Sequence, residues 1–408
     1  MIRTCSLAHL AIMLAAAAIF GCNSDDSSSP PPSSPPPPPP PPPSQPAKPL
    51  KILFVGNSYT FGRLDPVMTY NAPNVHDLTA SFAAANPTGT NPWEPHPWGG
   101  VPGIFKAMTV QAGLDYDVSI STRNAASLRG HFLNTANNDW DLRGNVASQT
   151  WDIVVLQELS DGPLPPGKGK NANLASFKAY ANQFERFIHE GAAQTYTEAQ
   201  LFGSLEACTA ARLSEDQCTT RRTIPANPNA SPATKVYLTE TWARPDMVFA
   251  HKITTPDKSS PTGSPIVDKS SSGGDATLYY TSLDGMTADL RASVAAAAAA
   301  NPKFVRVIPV GDAFQRAVDQ NLVRTGAFYD ANGVYTVEQP GDPVNLWWVD
   351  STHASKYGSY LDALLQFGSI TGRDPLSLGE GEHAAHELGI APNVALSLQR
   401  VASAQLGF

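Results

Sequence analysis

Residues 51–62 read KILFVGNSYTFG. Ile52, Leu53, Phe54 and Val55 are apolar without alternation, the pattern of a strand covered on both faces. The run then breaks into Gly56, Asn57 and Ser58, small residues suited to a tight turn. Two readings are open here: an ordinary strand-to-helix connection, or a serine held at the rim of a sheet to attack a substrate. A serine hydroxyl is a weak nucleophile until a base takes its proton, so the second reading requires a histidine elsewhere in the chain.

Further strand-like runs follow at 115–121 (DYDVSIS), 151–157 (WDIVVLQ), 235–241 (KVYLTET) and 303–310 (KFVRVIPV). Helical patterns lie between them. Leu174, Phe177, Ala181, Phe184 and Ile188 step by three and four, and the stripe stops at Gly191. The alanine-rich segment 286–301 suits a helix ending before Pro302, and 355–372 supplies a late one. This alternation predicts an α/β fold, a three-layer doubly wound sandwich on a mostly parallel five-stranded sheet. Ligands of such sheets bind beyond the carboxyl ends of the strands. The stretches 71–100, 194–232 and 252–282, rich in Pro, Gly, Ser, Thr and Asn, read as long loop insertions.

The chain has 408 residues, 42% of them apolar, enough for a substantial core. Its formal charge of −8 gives no basic footprint for nucleic acid. Residues 1–21 read as a signal peptide: Arg3 opens it, and residues 7–20 form an apolar stretch too short for a stable membrane span. The ending Ile19-Phe20-Gly21-Cys22 resembles a bacterial lipoprotein signal, with Cys22 as the lipidated residue. A plain secretory peptide is the alternative, and both export the chain. Asn23 resembles the sorting signal that favours an outer membrane. Residues 22–48 are a Pro-rich linker whose polyproline II conformation, ~3.1 Å per residue, suits a stalk. Residues 49–408 form the folded domain. In an oxidising compartment Cys208 and Cys218 could close a small disulfide loop. No Cys-x-x-Cys or His-x-x-x-His spacing occurs, and no metal or other cofactor is expected.

The required histidine stands in NLWWVDSTHASKYGSYLDAL, 345–364. Asp350 and His353 are three apart, so a turn between them lets the carboxylate reach one ring nitrogen and leaves the other for the serine. The competing reading is a helix cap made by Asp350 or Ser351 beside an exposed His353.

Together the two segments resemble the SGNH hydrolase superfamily, relatives of the GDSL esterases. Ser58 stands in the place of the serine of Gly-Asp-Ser, with Asn57 for the aspartate. His353-Ala-Ser-Lys-Tyr-Gly is similar to the family's His-x-Ser-x-x-Gly. The resemblance covers about residues 50–370. It implies Ser58 as nucleophile, His353 as base, Asp350 as the group orienting it, and an oxyanion hole fed by the Ser58 N–H and two further donors. After the second strand, Thr122-Arg123-Asn124-Ala125-Ala126 lacks the family's glycine, so the Ala126 N–H or a neighbour takes that role, with Asn124 competing. After the third, Gln157 offers the amide that an asparagine usually supplies, or else bonds a neighbouring loop.

Asn57, Asn124, Trp242 and Trp98 are candidate substrate contacts. Glu240, Trp242 and Arg244 either line a cleft or form a packed corner. Trp93, His96 and Trp98 form either a lid or a loop tied down by its aromatics. His383 and His386 have metal-like spacing but no third ligand, which favours a solvated helix start. The expected function is that of an exported or membrane-anchored serine ester hydrolase, removing acyl (acetyl) groups from a carbohydrate or related extracellular ester. A lipase or lysophospholipase-like esterase, a non-catalytic binding lipoprotein on the same fold and a stalked scaffold are the alternatives.

Overall fold

The computed structural model describes residues 48–86, 94–136, 139–253, 256–257, 266–267 and 273–408. The signal segment, Cys22, nearly all of the Pro-rich linker and Trp93 lie outside the described residues.

Ten strands are present among them. β1 (Leu50–Gly56), β2 (His76–Asp77), β3 (Tyr116–Thr122), β4 (Ile153–Gln157), β7 (Lys235–Thr239) and β10 (Phe304–Ile308) form one sheet in the order β10-β7-β4-β1-β3-β2. Every pairing in it is parallel. β5 (Gln194–Thr197) pairs with β6 (Arg221–Ile224), and β8 (Pro256–Asp257) with β9 (Ile266–Val267), both antiparallel. The sheet thus has six strands rather than the expected five. The extra one, β2, is only two residues long and sits in a stretch read as loop, too short to leave a hydropathy pattern.

The unbroken apolar run of β1 is explained by its two faces. Ile52 and Phe54 join Val118, Ile120 and Val155 in a core with the helices Gly100–Gln111, Val310–Asp319 and Lys356–Thr371. Leu53 and Val55 join Val154 and Leu156 on the other side, against Leu128–Phe132 and Leu174–His189. This is the expected three-layer α/β sandwich. The helix Leu174–His189 buries Phe177, Ala181, Phe184 and Ile188, and Asn173 caps it by accepting the Ser176 N–H. Each such aromatic or large aliphatic side chain contributes roughly 1.5–3 kcal/mol by leaving water.

The stretches read as loop insertions carry structure of their own. Residues 194–232 hold the β5–β6 hairpin and three short helices, with Cys208 and Cys218 joined as a buried disulfide. From β1 the chain proceeds to the β3 side of the sheet, and from β4 to the β7 side. That reversal opens a crevice between the carboxyl ends of β1 and β4. Ser58 emerges there.

Candidate active site

β1 ends in a tightly braced elbow. The Asn57 carbonyl accepts the Thr60 and Phe61 N–H groups, and its side-chain oxygen accepts the Tyr59 N–H at 3.1 Å, capping the single turn Ser58–Phe61. Asn57 Nδ2 donates to the Ala126 carbonyl (3.0 Å) and the Glu158 carbonyl (3.3 Å), tying together the loops after β3 and β4. From below, Gln157 Oε1 accepts the Asn57 N–H (3.2 Å) and the Thr60 hydroxyl (2.9 Å), while Gln157 Nε2 donates to the Glu158 carbonyl. A Cβ on residue 56 would lie 2.1 Å from Thr60 Oγ1 and 2.7 Å from Gln157 Oε1, so only glycine fits. His131 Nε2 donates to the Gly56 carbonyl at 2.7 Å, and burial pushes this imidazole down to about 4, so it stays neutral.

The base arrives on the loop before the helix Lys356–Thr371. Asp350 Oδ1 accepts the N–H groups of Thr352 (3.0 Å) and His353 (2.9 Å), which bends the chain back. Ser351 takes the left-handed conformation in that turn, with φ 56°. Asp350 Oδ2 accepts from His353 Nδ1 at 2.6 Å. With a proton on Nδ1, the lone pair lies on Nε2, which stands 2.8 Å from Ser58 Oγ. The helix itself is capped by Ser355, so the capping alternative does not describe Asp350. Burial raises the Asp350 carboxyl, but the charge and hydrogen bond of His353 and the two backbone N–H groups outweigh it and hold the group at about 2. It is therefore a carboxylate throughout the neutral range. The three side chains form one continuous line able to move a proton off the Ser58 hydroxyl.

Several expected contacts are placed differently. The Gln157 side chain is tied beneath the elbow, its oxygen accepting two bonds and its nitrogen donating one, which matches the neighbouring-loop alternative. The Ala126 N–H donates to the Arg123 carbonyl at 3.0 Å within a turn, so it too is engaged. Asn57 is 1% exposed with its amide fully used, and is a clamp rather than a substrate contact. Trp242 is buried, stacked on Tyr59 at 4.0 Å and on Phe314 at 4.9 Å, with its N–H on the Thr352 carbonyl. Trp98 is buried between Phe61 (3.9 Å) and His96 (3.7 Å). Neither indole can face a sugar. His96 is tied to Asp77 of β2 at 2.6 Å, the arrangement of a fastened loop.

Of the candidate donors, two remain. Ser58 N–H has no acceptor among the described residues. The half-buried Asn124 makes no side-chain hydrogen bond among them, and it follows Thr122 by two positions, as Ser58 follows Gly56, the β1 partner of Thr122.

Arg244 is a tie: it grips Asp246 with two nitrogens (3.0 and 2.6 Å) and donates to Ser160 (3.0 Å) and Thr352 (3.2 Å). Glu240 is buried, and its carboxyl is pushed well up by burial and by the neighbouring Asp312. His383 and His386 are exposed on the short helix His383–Glu387.

Three participants escaped the sequence reading. Tyr59 joins the elbow to the base loop, its hydroxyl donating to the Thr352 carbonyl at 2.9 Å and its ring meeting His353 edge-on. Glu158 accepts the Leu159 (2.8 Å) and Leu128 (3.1 Å) N–H groups and holds two rim loops in place. Arg63 brings Nη1 to within 3.5 Å of His353 Nε2. The one available signal for Arg63 was a cation five positions beyond the serine.

No family model matches the sequence, and no curated protein matches it. Solved structures similar to the chain include a DUF4886 family protein from Bacteroides uniformis, 14% identical, with 88% of this chain and 96% of that one covered and a TM-score of 0.38. A protein from Slackia heliotrinireducens, which its name places provisionally among the SGNH hydrolases, is 16% identical over 79% of this chain and all of that one, TM-score 0.31. Phospholipase A1 from Streptomyces albidoflavus is 12% identical over 78% and 99%, TM-score 0.30. Likenesses this distant leave the chemistry to be argued from the site itself.

Proposed function

We propose that this chain is a serine ester hydrolase. The observation that carries the reading is the unbroken line from Ser58 Oγ through the His353 ring to Asp350, at 2.8 and 2.6 Å. In the reaction, Ser58 Oγ bonds to the acyl carbon while its proton passes to His353 Nε2. Asp350 holds the imidazolium. The carbonyl oxygen becomes an oxyanion, met by the Ser58 N–H and the Asn124 amide. The carbon–oxygen bond to the alcohol then breaks, and His353 returns the proton to the leaving oxygen. Water, deprotonated by the same nitrogen, cleaves the acyl-serine and restores the hydroxyl.

The acyl group is short, such as acetyl: Tyr59, edge-on to His353, is stacked on Trp242, and this pair does not line a trench for a long chain. An exported, stalked enzyme suits the acylated polysaccharides of the cell exterior, with Cys22 as the lipid anchor. Release of 4-nitrophenol from 4-nitrophenyl acetate tests the core claim. Ser58→Ala should remove it, and equal release by both proteins would end the esterase reading.

A further inference from the structure

We infer that Arg63 selects esters whose alcohol carries a carboxylate beside the ester oxygen, so that the substrate is an O-acylated acidic sugar rather than a neutral one. This rests on the esterase reading and names its substrate class. Arg63 Nη1 lies 3.5 Å from His353 Nε2, the nitrogen that stands 2.8 Å from the Ser58 hydroxyl. The Nε of the same guanidinium lies 3.8 Å from Glu94 Oε1, and Glu94 is 2% exposed. A buried carboxylate thus stands beside the Nε end of the cation, and Nη1 stands beside the triad.

Position decides which part of the substrate meets this cation. To receive its proton, the leaving alcohol oxygen must sit beside Nε2. A group 3.5 Å from that nitrogen is therefore within reach of the substituents next to the leaving oxygen. A neutral sugar gives the guanidinium only hydroxyls. A carboxylate on a neighbouring carbon gives it a charge-assisted, planar partner, the geometry arginine matches best. Arg63 is in this sense a specificity-determining residue. Its side chain is 14% exposed, so the pair would form in a setting with little water to screen it.

The test separates binding from turnover. Ser58→Ala protein is titrated calorimetrically with mono-O-acetyl glucuronic acid, with its methyl ester, and with O-acetyl glycerol phosphate. We expect the acid to bind about tenfold or more tighter than the methyl ester, and Ser58→Ala/Arg63→Gln to bind the two alike. In the unmutated triad the same preference should appear in kcat/KM and vanish in Arg63→Gln. Arg63→Lys, which keeps the charge and loses the fork, should retain part of it and serves if Arg63→Gln does not fold. Equal binding of acid and methyl ester, or a preference that survives Arg63→Gln, overturns the inference. Tight binding of the phosphate alone overturns it in favour of a phosphate-bearing alcohol. Should 4-nitrophenyl acetate go unhydrolysed, the esterase reading fails, and the calorimetric arm still decides whether Arg63 holds a carboxylate.

Discussion

Asn57 Nδ2 donates to the Ala126 carbonyl at 3.0 Å, and the same nitrogen reaches the Glu158 carbonyl at 3.3 Å. An aspartate here would have no hydrogen to give and would set a carboxylate against two carbonyl oxygens. Asn57→Asp, although it restores the commoner Gly-Asp-Ser, should therefore lower stability by about 2–4 kcal/mol, each lost buried bond costing roughly 1–3 kcal/mol. Urea denaturation measures this. A variant as stable as the parent would show that the clamp carries no weight.

Asn124 and Gln157 should separate cleanly. Removing an oxyanion donor typically costs ~10²–10³ in kcat without unfolding anything. Asn124→Ala should show that loss at an unchanged melting temperature. Gln157→Ala should lower the melting temperature by several degrees, because it strips two acceptor bonds and one donor bond from beneath the elbow. The reverse pattern in steady-state kinetics and thermal melts would return Gln157 to the oxyanion hole.

Asp350→Asn should cut kcat by about 10³–10⁴ with little change in KM, since an amide favours the wrong His353 tautomer. The Asp350 carboxyl sits at about 2, below its ordinary 3.8. Its contribution to stability is accordingly complete above pH ~4 and fades as pH falls towards 2. Denaturation of parent and variant between pH 2.5 and 6 should show a stability gap that closes at the acid end.

Asp362 behaves in the opposite sense. It borders a water-sized cavity of about 10 Å³ under the elbow, together with Thr60, Gln157 and Gln366. Burial pushes its carboxyl up to about 7, against the hydrogen bond from Gln366 at 3.0 Å. Between pH ~4 and 7 the native chain keeps a proton that the unfolded chain releases, so the contribution is full below pH ~4, declines steadily as pH rises, and is gone above about 7. The loss is at most about 4 kcal/mol. Asp362→Asn should leave the melting temperature near pH 4 unchanged and raise it at pH 8. Part of the slope should remain, because burial also lifts Glu158 to about 7.

What could be read from the sequence follows the range of the forces involved. β1 and β4 announced themselves because a doubly covered strand must be apolar along its own length, while β3, β7 and β10 were legible from shorter apolar runs interrupted by polar residues. Ser58, Asp350 and His353 were legible because few residue types can perform proton transfer, and Asp350 and His353 form their own turn. Gln157 and Ala126 were not, since whether an amide is occupied depends on acceptors supplied by the fold: Gln157 meets Asn57 a hundred positions away. Trp242 and Trp98 misled for the same reason, as their burial is settled by Tyr59, Phe314 and Phe61. Arg63 offered only its place five positions beyond Ser58, because His353, the residue that gives it meaning, is 290 positions distant.

Ser58 and His353 are separated by 295 positions. A polypeptide made amino end first therefore carries its hydroxyl long before it carries the imidazole. Latency is thereby written into the order of the chain: however well the early strands assemble, Ser58 has no base beside it until the segment bearing His353 docks.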